Sequence, residues 1–396
     1  MTSTSLHSFT AKTQAGLEQV LADELTALGA REVTVQKRAV AFEGDQEIMV
    51  RANLWSRTAI SILKEITQFD FDGKEAFYEQ IKQIPWHSYF SVDNAIAVHA
   101  IANRSPLFTN TLFLAQLTKD AIADRFRDEC GRRPDVDTAS AGARIHVYVQ
   151  ENHCIVSLDS SGDPLFKRGY RRATGVAPLN EVLAAGLILL SGWDKRSIFM
   201  DPMCGSATFS IEAALMATNT APGLYRKSFG FSHWNDYNPE LFNRMKEEAN
   251  AQQRPLETRI LASDVSGKDL DTARQNILVA GFTGRIQVQR NDFFFYEPPR
   301  DQGWVLLNPP YDMRLTKKDL PEFYKQIGNT LKRNYAGYKA GIITEGEAGL
   351  KYTGLKPSSK TVVYNGPIEC RFAQYDLFEG FRKEHVMKQR AKRPRL

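Results

Sequence analysis

Downstream of residue 164 the sequence repeats one pattern: a short apolar run, a tight turn carrying a polar group, then helical periodicity. Ser197-Ile198-Phe199-Met200 leads to a helix through Ile211, Leu215 and Met216, and Arg259-Ile260-Leu261-Ala262 leads to one from about Lys268 to Ala280. Ile286 to Arg290 and Trp304-Val305-Leu306-Leu307 supply two further runs. Strands alternating with helices must pair in parallel, with helices covering both faces of the sheet. This half of the chain is therefore expected to be α/β with a mostly parallel sheet.

The first half reads differently. An amphipathic helix presents Leu17, Val20, Leu21, Leu25 and Leu28 on one face and closes at Gly29. Val33 to Phe42 reads as two short strands about a turn, and Ile48 to Leu63 as mixed helix. Lys74 to Ile84 and Thr111 to Cys130 are helices, with a strand at Ala95 to His99 between them. Arg144 to Val149 and Cys154 to Leu158 form a hairpin pair. Asp159-Ser160-Ser161-Gly162-Asp163-Pro164 is a dense turn signal and marks the main domain boundary.

At 396 residues, two or three domains are expected. No stretch reaches membrane-spanning length, because the most apolar helix, Val182 to Leu190, is short and contains Gly186. Met1 to Ser5 has neither a basic nor an apolar leader region, so the cytoplasm is the expected compartment. Cys130, Cys154, Cys204 and Cys370 are scattered without a Cys-x-x-Cys pair, which suggests neither a metal site nor a disulfide framework. The net charge is +5, yet residues 381–396 hold seven cations and one acid, leaving the body near neutral. Such a tail can follow phosphates or simply be a solvated terminus. Lys167-Arg168-Gly169-Tyr170-Arg171-Arg172 interleaves an aromatic with cations, a stronger nucleic-acid signal that is also compatible with a basic linker.

Polar groups at four successive strand ends carry the chemistry. The first strand runs into Asp201-Pro202-Met203-Cys204-Gly205-Ser206-Ala207-Thr208, a small-residue turn ahead of a helix, where a ligand can approach backbone N–H groups. The second ends at Ser263-Asp264, where a carboxylate can accept both hydroxyls of a ribose. The third ends at Asn291-Asp292, where a carboxylate can accept from an adenine amine. The fourth delivers Asn308-Pro309-Pro310-Tyr311. There an amide oxygen and a fixed carbonyl can accept two amine hydrogens, prolines hold them aimed, and an aromatic ring offers a stacking face. A nicotinamide site is disfavoured, because the turn lacks G-x-G-x-x-G and Asp264 comes after an insertion with Tyr225, Phe229, Phe231, Trp234 and Tyr237.

Taken together, these residues resemble the bacterial THUMP-domain methyltransferases that use S-adenosyl-L-methionine to modify guanine N2 in 23S rRNA. Further landmarks are Gly16-Leu17-Glu18, Leu54 to Ala59, Lys119 to Ile122, Arg133-Pro134, Leu158 to Gly162, Arg168 to Arg171 with Ala177 to Glu181, and Tyr364 to Arg371. The resemblance implies a ferredoxin-like module over 1–65, a THUMP RNA-binding domain over 66–160, a Rossmann-like class I methyltransferase domain with a mostly parallel seven-stranded sheet over 161–380, and a basic tail over 381–396. It implies that the turn holding Asp201, Pro202, Cys204, Gly205, Ser206 and Thr208 cradles the methionine part of the cofactor. Asp264 would then hold the ribose and Asp292 read the adenine, with Asn308 beside the cofactor. The Asn308-Pro309-Pro310-Tyr311 pocket would grip a flipped guanine, and Arg314 would touch phosphate or cap its loop. The partner implied is RNA, with no membrane, and the oligomeric state is left open.

One departure stands out: the family has Gly-Ser-Gly-Thr where this chain has Gly205-Ser206-Ala207-Thr208. The expectation is that position 207 has helical φ/ψ and tolerates a methyl group; a positive φ there would cost roughly 1–2 kcal/mol and weaken cofactor binding. The same pocket would grip an adenine N6 amine in DNA or RNA. A tRNA guanine-N2 enzyme and a noncatalytic RNA-binding assembly protein with a decayed turn at Ala207 are the other open readings. Cytosine-C5 chemistry fits poorly, since no cysteine has an activating neighbour in the sequence.

Overall fold

The computed structural model describes residues 6–172, 179–310, 319–347 and 349–378. Tyr311, Arg314, Ala177, Pro178 and the basic tail of 381–396 lie outside the described residues. Two compact units emerge. The first takes the chain up to Thr13, then Leu21–Lys167 and Pro222–Ala251; the second takes Gln14–Val20, Arg168–Ala221 and the chain from Gln252 onward.

The first unit contains β1 (His7–Lys12), most of α1 (Glu18–Ala27), β2 (Arg31–Gln36), β3 (Ala39–Gly44), α2 (Gln46–Trp55) and β4 (Ser61–Asp70). It continues with α3 (Lys74–Gln83), β5 (Ile96–Asn103), α4 (Thr111–Cys130), β6 (Ala143–Gln150) and β7 (His153–Asp159). Its strands form one seven-stranded sheet in the order β2-β3-β1-β4-β7-β6-β5. The ten-residue β4 pairs with β1 through Ser61–Lys64 and with β7 along Leu63–Asp70, so a single strand joins the two halves of this sheet. The boundary expected at residue 65 falls inside that strand.

The mixed helix expected over Ile48 to Leu63 is corrected: helix stops at Trp55 and strand begins at Ser61. The cause is tertiary. The Glu24 carboxylate accepts the backbone N–H groups of Arg57 and Thr58, each at 3.0 Å, and the Ser56 hydroxyl at 3.2 Å, pinning a turn where the helical pattern would otherwise run on. The aromatic insertion also has a location that its position in the sequence conceals. Phe229 and Phe231 stack at 5.2 Å, and with Trp234 and Met245 of α7 (Pro239–Ala251) they complete the core of the first unit.

The second unit holds α5 (Glu181–Ser191), β8 (Ile198–Asp201), α6 (Thr208–Ala217), β9 (Ile260–Asp264), α8 (Gly267–Val279), β10 (Ile286–Arg290), β11 (Gly303–Leu307), α9 (Leu320–Asn334), β12 (Lys339–Glu345), β13 (Ser359–Asn365) and β14 (Ile368–Asp376). Its seven strands lie in the order β10-β9-β8-β11-β12-β14-β13. All adjacent pairs from β10 to β12 are parallel, and β14 runs antiparallel to both its neighbours. Strands of a parallel sheet covered on both faces are apolar throughout, and every residue of β8 is buried. α6 is apolar around most of its circumference and is buried throughout, whereas α9 buries only Tyr324, Ile327, Gly328, Thr330 and Leu331.

Gly328 marks where α9 meets the loop at Thr353, because a Cβ there would collide with the Thr353 carbonyl. Gly328→Ala should therefore cost at least about 2 kcal/mol in urea unfolding. Gly267→Ala, where a Cβ meets nothing within 4 Å, should be neutral or stabilising. Equal midpoints for the two variants would contradict this close approach.

Candidate functional site

The strand order places the predicted polar groups side by side. β10, β9, β8 and β11 are consecutive neighbours, all parallel, so their carboxyl ends share one rim. Asp201 pairs across to Ala262, which pairs to Val288; Asp264 pairs to Arg290, two residues before Asp292. From β8 the chain winds outward through β9 to β10, then returns to β11 on the other side of β8. That reversal is the topological switch point at which open α/β sheets leave a crevice for ligands.

The turn after β8 is held from three sides. Asp201 is buried, and its Oδ2 accepts the backbone N–H of Ser210 at 3.2 Å and its hydroxyl at 2.8 Å. Cys204 N–H donates to the Ser263 carbonyl, and Gly205 N–H donates to Asp264 Oδ2, each at 3.0 Å. Pro202 is buried, as is Cys204, whose thiol burial pushes well above its ordinary range, fitting a packing residue. Gly205 has φ +50°, and a Cβ on it would meet nothing within 4 Å, so this face of the turn is open to a ligand.

Ala207 corrects an expectation. Its φ of 63° and ψ of 31° are left-handed rather than helical, and its N–H closes the turn onto the Cys204 carbonyl at 2.7 Å. The methyl group thus sits where glycine is favoured and carries strain of roughly 1–2 kcal/mol.

The basic cluster is also corrected: two of its cations and its aromatic face inward. Arg168 and Tyr170 are buried, and both reach Glu212 of α6, Tyr170 through its hydroxyl at 2.9 Å. Arg171 donates to Glu181 Oε1 at 2.6 Å, the Leu179 carbonyl at 2.9 Å, Thr208 Oγ1 at 2.9 Å and Ser206 Oγ at 3.3 Å. Asn276 of α8 completes the support, accepting from Arg172 N–H at 2.9 Å and donating to the Ser206 carbonyl at 3.2 Å. Neither Arg171 nor Asn276 was legible as a site residue, because their partners on the turn lie tens of residues away along the chain.

Asp264 accepts Gly205 N–H on one oxygen and Ser266 N–H, at 3.0 Å, on the other, so the second-strand acid fixes the first-strand turn as well as facing the rim. Asp292 Oδ1 accepts Phe294 N–H at 2.9 Å. Asn291 N–H donates to the Asp264 carbonyl at 3.3 Å, linking the second and third strand ends. At the fourth, Pro309 is buried and Asn308 half-buried, and Asn308 Oδ1 is a buried acceptor that meets no donor among the described residues. The predicted acids and the amide therefore share one rim; Tyr311 is not among the described residues.

Two outcomes test this geometry. Ala207→Gly should relieve the left-handed strain and raise stability by about 1 kcal/mol in urea unfolding; an unchanged midpoint would mean no strain is stored there. Burial lifts Asp201 from 3.8 to about 7, against the opposing hydrogen bonds from Ser210. The unfolded chain releases this proton near pH 4 and the fold holds it to about 7. The stability contribution is thus complete below the first value and lost as pH rises through the second. Asp201→Asn should therefore gain on the parent in melting temperature between pH 4.5 and pH 8, and a pH-independent difference between them would contradict the assignment.

Comparison with known proteins gives consistent matches. Residues 168–374 match the UPF0020 family, described as an RMKL-like methyltransferase domain; residues 8–63 match the RlmL ferredoxin-like domain and 73–159 the THUMP domain. "Putative RNA methyltransferase slr0064" of Synechocystis is 36% identical over 365 residues, covering 92% of this chain and 95% of that protein. Ribosomal RNA large subunit methyltransferase K/L of Methylococcus capsulatus is 37% identical over 377 residues, covering 93% of this chain and 51% of that protein. The chain thus spans about half the length of the K/L relatives it matches. Among solved structures, "SMU.472, a putative methyltransferase complexed with SAH" superposes with a TM-score of 0.85 at 28% identity, covering 95% of this chain and 99% of that one. A predicted N6-adenine-specific DNA methylase from Listeria monocytogenes gives 0.83 at 29% identity, covering 94% and 97%. With its sheet order, rim and domain matches in agreement, this chain belongs to the UPF0020 family of RMKL-like methyltransferases, with RlmL ferredoxin-like and THUMP domains ahead of the catalytic one.

Proposed function

We propose that this protein transfers a methyl group from S-adenosyl-L-methionine to the exocyclic N2 amine of a guanine in RNA, with 23S rRNA as the substrate. The observation that carries the reading is the orphaned Asn308 Oδ1: a buried acceptor without a donor among the described residues, at the strand end beside the Asp201–Thr208 turn. An unpaired buried acceptor costs about 1–3 kcal/mol, which a substrate amine would recover. The THUMP match and the names of the K/L relatives support an RNA, specifically ribosomal, substrate. The SAH held by the SMU.472 structure supports the cofactor. Four free cysteines accord with a reducing cytoplasm, and no helix among the described residues is long and apolar enough to cross a membrane.

The residues fit this cofactor. The open face at Gly205 would receive its methionine end, Asp264 its ribose hydroxyls and Asp292 its adenine amine, through lone pairs left over from their backbone bonds. When bound, the sulfonium supplies an electrophilic methyl group, so the protein needs no covalent intermediate. Asn308 Oδ1 and the Pro309 carbonyl accept the two amine hydrogens of an extruded base and turn its lone pair toward the cofactor side of the rim. Pro309 and Pro310 fix φ, so these acceptors stay aimed without paying for ordering at each turnover. Tyr311 supplies the stacking face, worth about 1–3 kcal/mol in single-strand recognition.

An adenine-N6 reading is favoured by one observation, the description of the Listeria neighbour as an N6-adenine-specific DNA methylase. The deciding experiment incubates the protein with labelled S-adenosylmethionine and unmodified rRNA, tRNA or DNA, then digests to nucleosides. Label in N2-methylguanosine from rRNA is expected; label in N6-methyladenine would replace this reading with the other. In the same assay Asn308→Ala should lower transfer by on the order of 100-fold while cofactor affinity stays within about twofold. Full activity would remove Asn308 from the site.

A further inference from the structure

We propose that Arg171 is a positioning residue that turns the Ser206 and Thr208 hydroxyls into donors for the carboxylate at the amino-acid end of the bound cofactor. The inference rests on the S-adenosylmethionine reading above and deepens it.

The argument is one of hydrogen accounting. A guanidinium can only donate, so Ser206 Oγ at 3.3 Å and Thr208 Oγ1 at 2.9 Å must accept from it. Each hydroxyl then has one hydrogen left. The two oxygens lie 3.3 Å apart, so one of those hydrogens bridges them and the other remains for a ligand. A permanent cation behind both oxygens polarises that remaining O–H toward an anion, and an α-carboxylate is the anionic part of this cofactor.

The guanidinium is itself immobilised. Nε is paired with Glu181 at 2.6 Å, and one Nη2 hydrogen goes to the Leu179 carbonyl at 2.9 Å. Asn180 caps α5 beside them, accepting Val182 N–H at 2.9 Å and Leu183 N–H at 3.3 Å. From the opposite side Asn276 holds the Ser206 carbonyl at 3.2 Å. The fork therefore has four partners, Glu181, the Leu179 carbonyl, Ser206 and Thr208, a set that a lysine ammonium on its flexible stem cannot reproduce. Its location explains why a cation occupies a largely buried position with a single acid for company: it serves the turn as well as Glu181.

The test uses the full chain and two ligands, S-adenosylhomocysteine and 5′-methylthioadenosine, which share the adenosine and sulfur but differ in the amino-acid end. The parent should bind the first more tightly by calorimetric titration. Arg171→Met, and also Arg171→Lys, should weaken S-adenosylhomocysteine at least about tenfold and leave methylthioadenosine within about twofold. Equal weakening of both ligands would mean a merely structural role and overturn the proposal, as would no change in either. Should Arg171→Met fail to melt cooperatively, the paired variant Ser206→Ala/Thr208→Val decides alone. It keeps Arg171, and the same selective loss supports the proposal while undiminished discrimination overturns it. A parent protein that binds neither ligand would sink the cofactor reading itself, and the Arg171 assignment with it.

Discussion

The handedness of parallel strand connections is the constraint on which the second unit depends. Crossovers between parallel strands are right-handed almost without exception, so a chain that winds outward from β8 to β10 and then resumes at β11 must reverse its direction across the sheet. Such a reversal leaves a gap at the carboxyl ends of β8 and β11 where ligands bind in open α/β sheets. The turn from Asp201 to Thr208 and the Asn308-Pro309-Pro310 segment emerge on the two sides of that gap. Their proximity follows from topology rather than from any interaction between them.

Polar satisfaction then sorts structural from available groups. Asp201 is spent on Ser210 at the start of the following helix, and Asp264 ties its neighbour's turn through Gly205 N–H. Arg168 and Tyr170 converge on Glu212, and Arg171 on Glu181 and two turn hydroxyls. Glu212 Oε2 and Asn308 Oδ1 are among the buried side-chain atoms that meet no partner among the described residues, and Asn308 Oδ1 lies at a strand end on the ligand rim. Pro309 and Pro310 fix φ on its C-terminal side, and in the proposed reading this acceptor is the one that takes a donor brought by the substrate.

The strain at Ala207 belongs to the same economy of backbone. The turn must reverse direction within four residues to deliver Ser206 and Thr208 to Arg171, and a left-handed residue at 207 accomplishes this with the Cys204 carbonyl as anchor. The chain retains alanine there although the conformation favours glycine, and the buried surroundings hold the residue in place.

What the sequence determined on its own was local and periodic. The apolar runs of β8 to β11, the helices between them, the long α4 and the polar residue at each strand end follow from side-chain pattern, which depends only on near neighbours. The left-handed state of Ala207, the end of α2 under Glu24, the burial of the Arg168 to Arg171 cluster and the packing of the aromatic insertion into the first unit were settled by tertiary structure alone. Each depends on a partner at least thirty residues away or on backbone geometry imposed by the fold, and a cation pattern reads the same whether its counter-charge is a distant glutamate or a phosphate. Short-range chemistry wrote the elements and the reactive groups; only the closing of long loops decided which of those groups face each other.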